Sequence, residues 1–233
     1  MKLAGLQKLT LLDYPGHVAC TVFTDGCDLR CPFCHNSDLV LPERAVPALD
    51  AEEFFSFLRK RQGILEGVCL TGGEPLLHPD AADFLARVKE LGYAVKLDTN
   101  GTFPDRLAGL IERGVVDTVA MDVKNSPARY AETVGIANFD LSPVRESVAL
   151  LLSGKVDYEF RTTVVAGLHD EDSFADVGAW LDGAKLYALQ MFRDSPQVLS
   201  AGLSPCTQEQ MERFAAIVRP HVGQVVLRGD VDR

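Results

Sequence analysis

Short apolar runs alternate with amphipathic segments along most of the chain. The runs have the length of β-strands and are rich in β-branched residues, whereas the segments between them repeat their apolar residues at helical spacing. The predicted strands are "HVACTVFT", "GVCLT", "AVKLD", "DTVAMDVK", "YEFRTTVVAG", "KLYALQMF" and "GQVVLR". This alternation predicts an α/β protein built from strand–helix units.

Capping residues mark the ends of the predicted helices. Asp50 stands three residues before Glu53, which is typical of a capped helix start for "AEEFFSFLRKRQ". The segments "PDAADFLARVKELG" and "PDRLAGLIERG" begin with proline and end at glycine, following the preferred positions of these residues. Further helices are predicted in "VRESVALLLSG", "DSFADVGAWLDG" and "TQEQMERFAAIVRP".

The strand–helix units predict a parallel sheet that curls toward a barrel. Six units joined by right-handed crossovers give this arrangement. A complete eight-fold barrel takes about 250 residues, whereas this chain has 233 residues and fewer than eight predicted strands. We therefore predict a partial (β/α)6 barrel of TIM type, laterally open, with residues 1–233 in a single domain.

Unusual polar residues stand at the ends of successive predicted strands. Three cysteines follow the first strand, "TGGEP" follows the second, "DTNG" follows the third, "DVK" ends the fourth, and Arg161 lies within the fifth. The carboxyl ends of parallel barrel strands lie on one face, where active sites are built. We therefore expect these motifs to converge in space.

Composition narrows the classes of partner. With 47% hydrophobic and 24% charged residues, the chain is typical of a folded globular protein. The net charge of -10 argues against a nucleic-acid-binding face, which needs a basic surface. The first eight residues lack the apolar core of a signal peptide, and no later stretch approaches the length of a membrane span. We expect a cytoplasmic protein with neither nucleic acid nor membrane as partner.

The stretch "CDLRCPFCHN" places Cys27, Cys31 and Cys34 within eight residues. In a reducing compartment such a group is more typical of metal binding than of disulfides. A structural zinc site needs a fourth ligand, and His35 adjoins Cys34 too closely for an unstrained tetrahedron. A 4Fe-4S cluster held by three thiolates leaves one iron open to a ligand. A zinc knuckle or free thiols are the alternatives.

Other cysteines and aromatic residues lack a motif. Cys20, Cys69 and Cys206 are expected to be small buried hydrophobic residues. Trp180 lies on the apolar face of a predicted helix and is expected in the core, and His169 is expected at the surface or at a helix end.

The cysteine spacing, with Phe33 before the last cysteine, resembles the motif of radical S-adenosylmethionine (SAM) enzymes. The segment "LLDYPGHVACTVFTDGCDLRCPFCHN" is similar to the opening of the glycyl-radical-enzyme activases. These include pyruvate formate-lyase activating enzyme and the anaerobic ribonucleotide reductase activating proteins, with the greater likeness to the latter. The resemblance implies the radical SAM fold, a 4Fe-4S cluster on the three cysteines, SAM on the open iron, and an adenine near Phe33, His35 and Asn36.

The segment "TGGEP" has both a functional and a structural interpretation. Gly72 and Gly73 allow the backbone to approach a ligand, and Glu74 can accept a hydrogen bond from a ligand ammonium. The resemblance implies that this ammonium is the SAM amine. The alternative is a simple turn.

Four residues at neighbouring strand ends suit charged ligands. Acidic oxygens together with a carbonyl oxygen suit a hard cation, and Lys124 suits a carboxylate. The resemblance implies a monovalent cation on Asp98, Thr99 and Asp122 beside the SAM carboxylate, with Lys124 as a SAM contact. A weak surface ion pair is the alternative for Asp122 and Lys124. Arg161 is implied to help seat SAM, with a structural salt bridge as the alternative.

The resemblance implies one-electron chemistry carried by the cofactors, without a further catalytic side chain. A flavodoxin or ferredoxin would reduce the cluster, and SAM would be cleaved to methionine and a 5'-deoxyadenosyl radical. This radical would take a hydrogen atom from a glycine α-carbon of a glycyl radical enzyme, with anaerobic ribonucleotide reductase as the expected partner. The partner's loop would enter through the open side of the barrel.

Other functions remain open. The chain could activate another glycyl radical enzyme, or act on a small molecule as a deazaguanine synthase does. An RNA-modifying radical enzyme is disfavoured by the acidic charge. A non-catalytic iron-sulfur or zinc-binding module would leave Glu74 and the strand-end residues unexplained.

Overall fold

Eight strands form one sheet in the computed structural model, which describes residues 1–41 and 48–229. The strands are β1 (Leu3–Thr10), β2 (Ala19–Thr24), β3 (Gly67–Gly72), β4 (Ala94–Thr99), β5 (Thr118–Asp122), β6 (Asp157–Val164), β7 (Leu186–Met191) and β8 (Gln224–Arg228). Neighbours in the chain are neighbours in the sheet, and β1 and β8 form its two edges. The pair β1–β2 is antiparallel and all later pairs are parallel.

Helices connect the parallel strands. They are α1 (Ser37–Val40), α2 (Ala51–Arg59), α3 (Ala81–Glu90), α4 (Pro104–Glu112), α5 (Tyr130–Val134), α6 (Ser142–Leu152), α7 (Glu171–Trp180) and α8 (Gln208–Val218), with a 3-10 turn at Pro75–Leu77. The predicted cap of α2 is confirmed, because the Asp50 carboxylate accepts hydrogen bonds from the backbone N–H groups of Glu52 and Glu53. No helix in the described part of the chain is long and apolar enough to cross a membrane.

The open, mostly parallel sheet confirms the predicted fold class, with one strand more than expected. All seven predicted strands are present as β2 to β8. The additional strand, β1, runs antiparallel at the edge of the sheet. Its sequence "LAGLQKLT" has exposed polar residues in its second half and no strict alternation, so it carries a weak strand signal.

The two faces of the sheet differ in chemistry. Successive residues of a strand point to opposite faces. On β4, Val95 and Leu97 are completely buried in the apolar core. Lys96 and Asp98 alternate with these two residues along the strand and form an ion pair on the other face. This second face carries the charged residues that build the site.

Most expectations for isolated residues are confirmed. Cys20, Cys69 and Cys206 are buried, and Trp180 packs against the core next to Tyr130. His169 lies at a helix end, as expected, directly before the N-cap residue Asp170 of α7, but it is not at the surface. Its side chain is 6% exposed, and its Nε2 atom lies 2.8 Å from the carbonyl oxygen of Lys124, so it supports the loop after β5.

Candidate functional site

One cavity brings together the motifs that follow the parallel strands. Thirteen of the fourteen predicted site residues line it, and Glu74 is the exception. The cavity wall also includes Leu29, Val40, Thr71, Asn100 and Thr163, which the sequence patterns did not single out. Asn100 follows Thr99 directly in "DTNG", and this adjacency to a predicted site residue is the sequence feature that could have identified it. The expected convergence at the strand ends is therefore present.

The three cysteines lie on a loop after β2 that turns into the cavity. The Cys34 amide donates to the Cys31 carbonyl at 3.0 Å, which closes a turn between the two thiols. Burial raises the pKa of the Cys31 thiol to about 11, although the nearby Lys124 ammonium opposes this shift. Three sulfur donors on one cavity wall, next to a positive charge, fit a cluster that takes three thiolates.

Phe33, His35 and Asn36 form the adjoining part of the wall. Phe33 is buried, and the His35 ring lies 5.4 Å from the ring centroid of Phe192. The Asn36 side-chain amide donates to the carbonyl oxygen of Gly72 at 3.3 Å. The cysteine loop is thereby connected to the loop after β3. These residues offer an aromatic and amide surface beside the thiols.

The glycines of "TGGEP" are required by the packing of the chain on itself. A Cβ atom at Gly73 would lie 1.9 Å from the carbonyl oxygen of Gly26, and one at Gly72 would lie 2.3 Å from the amide nitrogen of Thr24. Gly72 also has φ of +130°, which disfavours other residues. Both glycines line the cavity, but the close approach that they permit is to the loop preceding the cysteines.

Glu74 joins two loops from below the cavity. Its carboxylate is fully buried and accepts hydrogen bonds from the Leu76 amide, the Thr99 hydroxyl and the Asn100 amide at 2.9, 2.8 and 2.7 Å. Burial raises its pKa to about 7, against the effect of these hydrogen bonds. The expected hydrogen bond to a ligand ammonium does not fit this geometry, because the carboxylate faces the protein's own donors. Glu74 fixes the loops after β3 and β4.

A network of ion pairs crosses the strand ends. Arg161 on β6 donates to Asp98 at 3.0 Å and to Asp122 at 2.8 Å. The second oxygen of Asp98 contacts the Lys96 ammonium, and the second oxygen of Asp122 contacts Lys124 at 2.9 Å. Burial would raise the pKa of Asp122, but Arg161 and Lys124 outweigh it and lower this pKa to about 2. The Asp122 carboxylate is therefore held as an anion.

The monovalent cation expected on Asp98, Thr99 and Asp122 does not fit this arrangement. All four carboxylate oxygens contact basic groups of the protein. The Thr99 hydroxyl donates to Glu74 and accepts from the Gly101 amide. The positive charge at these strand ends comes from lysine and arginine.

A second cavity lies where the two edges of the sheet meet the charged face. Residues after β1 and at the end of β8 line it, together with Lys96, Glu159, Arg161 and Gln190 from the strands between. Arg161 lines both cavities. Leu11 and Leu12, at the rim, are 66% and 86% exposed. The open side of the sheet thus leads toward the ion-pair network.

A family model described as the Radical SAM superfamily matches residues 21–177, which is more than half of the chain. The chain belongs to the radical SAM superfamily. The resemblance inferred from the cysteine motif is thereby confirmed, and radical SAM membership implies an enzyme with a 4Fe-4S cluster and SAM as cofactors. The three thiols and their cavity fit these groups.

Individual relatives of this radical SAM enzyme have different named activities. A Methanocaldococcus jannaschii protein, provisionally named a glycyl-radical enzyme activating enzyme, is 30% identical over 235 residues, covering 97% of this chain and 95% of the relative. A 7-carboxy-7-deazaguanine synthase of Thermoplasma acidophilum is 27% identical over 168 residues, 72% of this chain and 76% of the synthase.

A solved structure supports the fold. A domain of pyruvate-formate lyase-activating enzyme from Bacteroides vulgatus aligns with a TM-score of 0.57 at 17% identity, covering 70% of this chain and 99% of that domain. At this identity the likeness concerns the architecture alone.

Proposed function

We propose that this radical SAM enzyme installs a glycyl radical on a partner enzyme, with anaerobic ribonucleotide reductase as the expected partner. The observation that carries the proposal is the nearly full-length similarity to the archaeal activating-enzyme relative. The open sheet edge, with a second cavity beside it, supports access by a macromolecule. We place the reaction in the cytoplasm, with a flavodoxin or ferredoxin as electron donor and residues 1–233 acting as one domain.

Each part of the first cavity has a proposed role. The cofactor residues are Cys27, Cys31 and Cys34 for the cluster, Phe33, His35 and Asn36 beside the adenine, and Gly72, Gly73, Lys124 and Arg161 around the methionine end of SAM. When bound, the reduced cluster would supply one electron for the reductive cleavage of SAM, whose methionine end these residues would hold. Lys124 and Arg161 attract the SAM carboxylate, and the buried Phe33 helps to exclude water.

The hydrogen atom would come from a glycine in a partner loop that enters at the open edge. Leu11 and Leu12 stand at the rim as exposed apolar residues, and the Glu159–Arg228 ion pair lies further inside. A mobile loop can leave its own fold to bind here, at an ordering cost that weakens the complex. The products would be methionine, 5'-deoxyadenosine and a glycyl radical on the partner.

Release of 5'-deoxyadenosine is expected to be slow with SAM and reductant alone and to rise when the correct partner is added. Deuterium on the α-carbon of the partner's glycine should appear in the 5'-deoxyadenosine. The measurement is mass spectrometry of this product after anaerobic incubation of the reconstituted enzyme. Partner protein in which that glycine is replaced by alanine is the control and should give no stimulation.

A metabolite could replace the partner as hydrogen donor. The similarity to a deazaguanine synthase favours this as the second candidate function. If deuterium is transferred from a purified small molecule with no protein partner present, the activase proposal is wrong and a small-molecule radical SAM enzyme takes its place.

Replacing Leu11 and Leu12 by serine is expected to raise the partner concentration needed for half-maximal stimulation by roughly tenfold, because apolar area would no longer be buried on binding. Release without partner should stay unchanged, since both side chains are exposed in the free protein. Ile64→Ser is the matched control, because Ile64 is 58% exposed and lines neither cavity. An equal effect of the control and the double variant would contradict docking at this rim.

A further inference from the structure

Lys96 is a buried cation that the proposed reaction does not use. Its side chain is 2% exposed, and its ammonium is paired with Asp98 on the same strand. A lysine is almost never fully buried without a partner, because removing its charge from water is costly. The ion pair with Asp98 therefore places the Lys96 ammonium beneath the strand ends.

The charge balance of the network shows what Lys96 adds. Lys96, Arg161 and Lys124 contribute three positive charges, and Asp98 and Asp122 contribute two negative ones. The network thus has one net positive charge, opposite in sign to the SAM carboxylate that would lie beside it. Without Lys96 the network would be neutral, and the arriving carboxylate would need another cation.

The position of Lys96 matches that task. Its ammonium holds one oxygen of Asp98, and Arg161 holds the other at 3.0 Å. Asp98 lines the first cavity, whereas Lys96 lines the second. Lys96 therefore acts through Asp98 and Arg161, from behind the cavity, as a positioning residue.

We propose that Lys96 is the built-in cation of this site, so that SAM binds without sodium or potassium. This inference rests on the proposed placement of the SAM carboxylate at these strand ends. At other sites a bound cation is often the largest local charge. Here the ammonium of Lys96 would supply the positive charge that such a cation provides.

The test is the affinity for SAM, measured by calorimetry on the reconstituted protein at constant ionic strength. The three buffers differ only in their monovalent cation. One contains tetramethylammonium in place of any metal ion, the second contains potassium, and the third contains sodium. Wild-type protein should bind SAM equally in all three buffers. Lys96→Met should lose roughly tenfold or more in affinity in tetramethylammonium and regain most of it with potassium or sodium, which can occupy the vacated space.

Two further variants control for charge and for general loss of a lysine. Lys96→Arg keeps the charge and should remain independent of the ion. Lys185→Met removes an exposed lysine, 3.7 Å from Asp157, and should behave as wild type.

Several results would overturn the proposal. They are a wild-type affinity that rises several-fold with potassium or sodium, normal SAM binding by Lys96→Met in tetramethylammonium, or a loss in Lys96→Met that neither ion restores. The wild-type comparison decides the matter even if Lys96→Met fails to fold. Complete absence of SAM binding by wild type in every buffer would instead contradict the proposed SAM site.

Discussion

Replacing Cys27, Cys31 or Cys34 by alanine, one at a time, is expected to abolish the 4Fe-4S cluster. One iron of the cluster already lacks a protein thiolate, and each substitution would remove the thiolate of a second iron. The described lining of the cavity has no other cysteine to replace it. The other three cysteines are buried and do not line this cavity. Iron and sulfide content and visible absorbance after anaerobic reconstitution would measure the loss.

The control for this experiment is a cysteine of similar burial outside the cavity. Cys206→Ala should keep a full cluster, since Cys206 is buried behind the start of α8 and lines neither cavity. Retention of a full cluster in all three single variants of the motif would contradict the assignment.

Arg161→Met is expected to destabilise the protein by about 3–5 kcal/mol, because removing one partner leaves buried charges unpaired. The Arg161 side chain is 12% exposed and is the one group that contacts both Asp98 and Asp122 in the described ion pairs. Its loss would leave one oxygen of each carboxylate without its basic partner. The free energy of unfolding from urea denaturation measures this effect, and the affinity for SAM should fall with it.

Arg113→Met is the matched control for Arg161→Met. Arg113 contacts Asp83 at 3.0 Å, but both side chains are largely exposed, so its loss should cost less than about 1 kcal/mol. If both variants lose the same free energy of unfolding, the ion-pair network at the strand ends contributes no more stability than an exposed ion pair. If Arg161→Met loses stability but binds SAM as wild type does, Arg161 is a structural salt bridge only.

The hydrophobic pattern was sufficient for most of the fold. The apolar runs of β2 to β8 are long and bounded by turn residues, so their strand character is clear locally. Strand β1 was missed because an antiparallel edge strand can have a half-exposed, polar sequence. Its strand conformation depends on pairing with β2, which its own sequence does not reveal.

The location of the site could be predicted from the sequence, but the hydrogen bonds and ion pairs among its side chains could not. The common direction of the parallel strands was enough to bring the cysteines, "DTNG" and "DVK" to one cavity. The role of Lys96 was not visible, because "AVKLD" does not reveal that the charged face of the sheet is enclosed. Likewise, the partners of Glu74 come from the loop after β4, which no local pattern of "TGGEP" specifies.

Electron paramagnetic resonance of the partner protein tests the central claim most directly. The reconstituted, reduced enzyme would be incubated with SAM and a candidate glycyl radical enzyme, beginning with anaerobic ribonucleotide reductase, in the absence of air. The account predicts an organic radical on the partner whose hyperfine splitting changes when its glycine carries deuterium on the α-carbon. It also predicts no radical when SAM is omitted or when Cys31→Ala replaces the wild-type enzyme. Active SAM cleavage with no radical on any glycyl radical enzyme, together with deuterium transfer from a small molecule, would contradict it.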